Sequence, residues 1–65
     1  MSEAPIFTAK DKLDCIQREI GKRKHVYPRL VAEGKLSQVK ANREIACMEA
    51  IAAEYEPQAE KERLI

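Results

Sequence analysis

The chain has no tryptophan, one phenylalanine and two tyrosines in 65 residues. An interior of stacked aromatics is therefore excluded, and any core must come from aliphatic residues and alanine. Glycine occurs twice and proline three times, too few breaks for the many short strands of a sandwich or barrel. Cys15, Cys47 and His25 are the only cysteines and histidine. They fall short of the roughly four ligands of a structural zinc site and of the framework of a disulfide-held secreted domain. No run approaches the ~20 apolar residues that cross a bilayer, and the first residues lack the basic n-region and apolar core of a signal peptide. An excess of one charge is missing too. Twelve Lys and Arg stand against eleven Asp and Glu, so the molecule as a whole attracts neither nucleic acid nor an anionic membrane strongly. The expectation is a soluble, cytoplasmic protein with reduced thiols, no cofactor, no metal and no membrane contact.

What is present is helical pattern. Ser37 to Tyr55 contains no Pro or Gly and is rich in Ala, Glu and Met, all strong helix formers. Ala41, Ile45, Met48, Ala52 and Tyr55 recur at steps of four and three, the spacing of a coiled-coil seam. Cys47 and Ile51 widen that seam to the stripe of a helix in a bundle. Lys40, Arg43, Glu49 and Glu56 fall outside it. Upstream, Leu13, Ile16 and Ile20 keep helical spacing, as do Tyr27, Leu30 and Val31. Arg23 fills the position between these two sets that should be apolar.

Boundaries follow from local chemistry. Residues 1–7 include Pro5 and little pattern and are expected to be flexible, although Ile6 and Phe7 can fold back onto the first helix because one Phe is a large share of so small a core. Thr8, with Asp11 three residues on, forms a capping box that starts the first helix. Pro28 removes a backbone donor, which predicts a kink or brief interruption there. Gly34 supplies the left-handed residue that closes this helix, and Ser37 caps the next. So short a connection makes the helices antiparallel, giving an all-α helical hairpin over residues 8–56. Glu56-Pro57 should end or bend the second helix. Residues 57–65 then form a charged tail or a short extra helix.

Antiparallel geometry sets residues opposite one another when their numbers sum to about 71. Leu30 meets Ala41, Tyr27 meets Ile45, Ile20 lies beside Ile51 and Ala52, and Ile16 faces Tyr55. Cys15 and Cys47 are then roughly 13 Å apart along the axis, beyond the reach of a disulfide. A single hairpin leaves the flanks of both stripes wet. The flank residues Val31, Val39, Cys47, Ile51 and Tyr55 form the candidate interface. A homodimer closing a four-helix bundle would cover them, and so small a chain gains most from such pairing. The competing arrangement is a monomer whose terminal segments fold over the open side.

Five stretches of the sequence carry a resemblance: Arg18–Ile20, Val26–Val31, Glu33–Ser37, Arg43–Ala46 and Met48–Ala52. Through them the chain resembles a group of short proteins encoded by bacteriophages and prophages of proteobacteria. The likeness covers about residues 16–56, is most distinctive at Tyr27-Pro28 and its following Gly-containing turn, and departs from the group at Gly21. The resemblance implies a source. It transfers no activity and no site residues.

Catalytic constellations are sparse. Cys47 falls within range of His25 across the hairpin on paper, but a cysteine on a helix flank is most often a small core filler. Glu44, Glu49, Glu54, Glu56, Glu60 and Glu62 are many. Acid–base chemistry needs carboxylates converging in a water-poor pocket, which a hairpin has little room to build. An enzyme is therefore not expected. The basic residues Arg18, Lys22, Arg23, Lys24 and Arg29, joined by Lys40 and Arg43, suit phosphate contacts. Gln38 and Asn42 are types that read base edges. A helix-turn-helix reading is opposed by the long first helix, the antiparallel packing and the missing third helix. The leading expectation is a protein–protein interaction module with an unidentified protein partner. A small nucleic-acid-binding accessory or regulatory protein is the alternative.

Overall fold

The computed structural model describes residues 6–64. Two helices, α1 (Ala9–Ala32) and α2 (Gln38–Arg63), pack against each other as an antiparallel hairpin, and the described residues contain no strand.

Each boundary predicted from capping chemistry is formed. Thr8 Oγ1 accepts from the Asp11 amide at 3.0 Å, and Asp11 Oδ2 accepts from the Thr8 amide at 3.1 Å. These two bonds satisfy reciprocally the donors that a helix start leaves open. At the other end Gly34 adopts φ +74°. Its amide donates to the Val31 carbonyl and that of Lys35 to the Leu30 carbonyl, at 3.0 and 2.9 Å. That pair of bonds is a Schellman closure, which needs a left-handed residue at the glycine position. Ser37 Oγ then accepts from the Lys40 amide at 3.1 Å and opens α2.

Neither internal proline ends its helix. α1 runs without a break through Pro28 and α2 through Pro57. Both prolines are exposed, so neither ring displaces a core side chain, and each helix loses one hydrogen bond rather than its continuity. Residues 57–63 are thus the last turns of α2 and not a separate tail or helix.

What holds them in place is a contact that the sequence pattern does not reveal. Glu62 Oε2 accepts from the amide of Ala9 at 3.0 Å, and Glu62 Oε1 from that of Lys10 at 3.1 Å. The carboxylate sits where the dipole of α1 favours negative charge. Ala59, one turn earlier, is buried.

The seam follows the expected register. Ile20, Met48 and Ala52 form the buried cluster, with Leu13, Ile16 and Ile45 packed against it. Lys24 reaches Glu49 at 3.2 Å across the hairpin. Among the described residues six hydrophobic side chains are buried, of which four are alanines, Ala9, Ala41, Ala52 and Ala59, and none is fully buried. Small residues along the seam let the helices approach closely but remove little apolar area from water.

Candidate interaction face

The two sides of the hairpin differ. Glu49 and Ile51 lie about 200° apart on α2, flanking the buried line of Met48 and Ala52. On the Glu49 side the Lys24–Glu49 ion pair crosses between the helices. A depression of about 400 Å³ beside it mixes Tyr27, Pro28 and Ile45 with Gln38, Asn42 and Glu49. The Ile51 side is more apolar and its depression is larger. Here α1 contributes Cys15 and Ile16, α2 contributes Ile51 and Tyr55, and Phe7 closes one end of a groove of about 740 Å³. Phe7 is 58 % exposed and Ile51 37 %. Asp11, Asp14, Arg18 and Glu19 form its rim. The Lys12 ammonium stands 5.5 Å from the centre of the Tyr55 ring, within range of a cation–π attraction.

Not all of the five interface residues read from the sequence meet here. Ile51 and Tyr55 line the groove. Cys47 is exposed and lies one turn before Ile51, on the same side of α2. Val31 is half-buried near the turn and lies outside the groove. Val39 is 80 % exposed and sits about 200° from the buried Ala41, on the outside of α2. Phe7, which the sequence allows to fold back onto the first helix, and Ile16, expected in the seam, join the face. Both are large apolar residues at or beside α1, and that is the signal which could have found them. The C-terminal turns of α2, occupied at the start of α1, leave the groove open.

The basic residues divide in the same way. Arg18, Lys22, His25 and Arg29 follow one another at steps of four, three and four, a single stripe along α1. All four are exposed, and the stripe points away from Ile20. Arg23 and Lys24 are not part of it. Arg23 Nε donates to Glu19 Oε1 at 2.8 Å and Nη1 donates to the Tyr27 hydroxyl at 2.9 Å. The hydrogen bond from Arg23, and then its charge, hold the Glu19 carboxyl below its ordinary range. Bonding to Glu19 and then to Tyr27 raises the Arg23 guanidinium further above its own. The polar residue in the apolar seam is thus bracketed one turn before and one turn after by its partners. Lys40 and Arg43 lie on α2, and Arg43 is about 200° from Ala41, so it is directed away from the α1 stripe.

His25 belongs to the outer stripe of α1, and Cys47 to the groove side of α2, so helix geometry directs the two away from each other. Both cysteines are free thiols. The glutamates of α2 disperse: Glu49 pairs with Lys24, Glu60 with Arg63 at 3.5 Å, and Glu62 caps α1. Among the described residues no group of three or more His, Cys, Asp or Glu is placed to hold a metal ion, and no helix is long and apolar enough to cross a membrane. No known protein family, no curated protein and no solved structure matches this chain.

Proposed function

We propose that the chain is a non-catalytic protein–protein interaction module of phage or prophage origin, acting through the groove between Ile16 and Tyr55. The supporting observation is an open apolar groove with a charged rim, on a hairpin whose other side holds a smaller, more polar depression beside the Lys24–Glu49 ion pair. An apolar centre within a polar rim is the anatomy of a binding surface. Capture experiments with the intact chain and with Ile51→Lys, run side by side, test it. A partner, whether another protein or another copy, is retained by the first and lost by the second while helicity is unchanged. If the two chains behave alike the reading fails.

The stripe Arg18, Lys22, His25 and Arg29 supports a second reading, nucleic-acid binding through α1. It would show as salt-dependent retention of labelled duplex or single-stranded nucleic acid, since each neutralised phosphate releases counterion. Absence of binding at tens of micromolar protein in about 50 mM salt removes it, that being the range of non-specific affinities.

A further inference from the structure

The charges of the hairpin are segregated along its length. Residues 21–50, the half that contains the turn, carry seven Lys and Arg against three Glu. Residues 8–20 and 51–64, the open half, carry five Lys and Arg against seven Asp and Glu. The turn half therefore has a net charge of +4 and the open half −2.

Taking the groove as a docking face, we infer that its occupant is a second copy of this chain, laid antiparallel so that the turns lie at opposite ends of a four-helix bundle. Three observations carry this. First, the face has the size a dimer needs. Helices of about 36 Å lying side by side present roughly 700 Å², close to the ~800 Å² per partner of a standard interface. Second, the hairpin is short of core, with no side chain fully buried among the described residues, and one more layer of helices is what so small a chain lacks. Third, charge chooses the orientation. A two-fold axis along the hairpin would set positive half over positive half. An axis across it sets each turn half over the open half of the other copy, which is the complementary arrangement. Such an interface is isologous and closes on itself.

The crossing axis fixes which residues meet. It passes near the middle of both helices, close to Ile20 on α1 and Ile51 on α2. α2 then lies over α2 of the other copy, and Ile51 comes next to its own symmetry mate. Cys15 faces the region of Val26 instead and lies about 16 Å along the axis from its mate, at 1.5 Å per residue. An axis along the hairpin would set α2 over α1, with Ile51 and its mate on a diagonal.

The experiment uses the full chain. Sedimentation at tens of micromolar is expected to give twice the monomer mass. In a chain with Cys15→Ser and Cys47→Ser, adding Ile51→Cys is expected to give a disulfide-linked dimer under mild oxidation. A chain keeping only Cys15 is expected to give none. Ile51 is already partly exposed, and circular dichroism confirms that the variant keeps its helicity. Spin labels on the native thiols, one at a time, supply a second measurement with every apolar residue in place, and the distance at Cys15 is expected to exceed that at Cys47. A monomer at these concentrations overturns the inference, as does a dimer without the cross-link at position 51 or with equal label distances. A monomer whose groove still captures another protein, and loses it on Ile51→Lys, overturns the second copy as occupant and leaves the docking reading intact.

Discussion

The carboxylate of Glu62 closes the start of α1 from the far end of the chain, and Glu62→Ala tests how much that contact stabilises the hairpin. Two backbone amides, of Ala9 and Lys10, lose their acceptor. Neither has another partner within the helix, because the first turn donates to nothing of its own. Losing a capping side chain costs about 0.5–2 kcal/mol, and losing a negative charge at a helix start about 0.3–1 kcal/mol. The first bond is partly buried and the second exposed, so water replaces the second more cheaply. About 1–2 kcal/mol is expected in all. For a domain of this size that is a fall in Tm of roughly 5–15 °C. The assay is thermal and urea denaturation followed by helicity, with protein concentration held fixed because association would shift the apparent stability. Glu60→Ala is the control, since Glu60 only pairs with Arg63 one turn away on an exposed surface, a contact worth little. Amide exchange at Ala9 and Lys10 should accelerate in the first variant alone. If the two variants lost the same stability, the proposed closure of α1 by Glu62 would be refuted.

Other substitutions separate backbone from packing effects. Gly34→Ala should destabilise by about 1–2 kcal/mol in chemical denaturation because a side chain must take the left-handed conformation, although no atom stands within 4 Å of the new Cβ. Gly21→Ala, with equal room but an ordinary helical conformation, should stabilise by about 0.5–1 kcal/mol. Pro28→Ala restores a donor inside an unbroken helix and should raise Tm, by an amount corresponding to at most ~3 kcal/mol. Acid should weaken the fold. Asp14 and Glu19 have carboxyls lowered by hydrogen bonds from Lys10 and Arg23. Their contribution is complete above the ordinary carboxylate range and is lost as pH falls through their lowered values. Glu19→Gln should flatten the acid side of a stability–pH curve.

The architecture was legible because each signal in it is local. The capping box at Thr8, the glycine at 34 and the serine at 37 fix helix ends through residues at most a few positions apart. The heptad spacing from Ala41 to Tyr55 fixes the seam. Pro57 left open whether the second helix ends there, because propensity weighs the lost hydrogen bond and cannot see that the ring lies on the exposed side. Glu62 was hidden for another reason. Its partners, Ala9 and Lys10, are more than fifty residues away in sequence, and backbone amides carry no residue type to read. The proposed interaction face was half legible. Ile51 and Tyr55 stood out as flank residues, whereas Val39 carried the right chemistry and the wrong angle. Phe7 needed the three-dimensional path of the chain into α1.

The alanine seam gives the fold an unusual pattern of vulnerability. In most cores the damaging changes delete atoms and leave holes. Ala41, Ala52 and Ala59 have nothing to delete beyond a methyl group, and the bulk whose loss would open a cavity lies in Met48 and Ile20 with the half-buried Leu13, Ile16 and Ile45 against them. The seam is exposed to the opposite fault. A leucine at Ala41 or Ala52 brings three more carbons between helix backbones already held close, and such overpacking costs typically 1–3 kcal/mol. The helices have one way to absorb it, which is to separate, and separation draws Glu62 away from the start of α1. Growth of a side chain at the centre of the hairpin is thereby felt at its open end, and sequence drift in this chain is bounded by size from above more than from below.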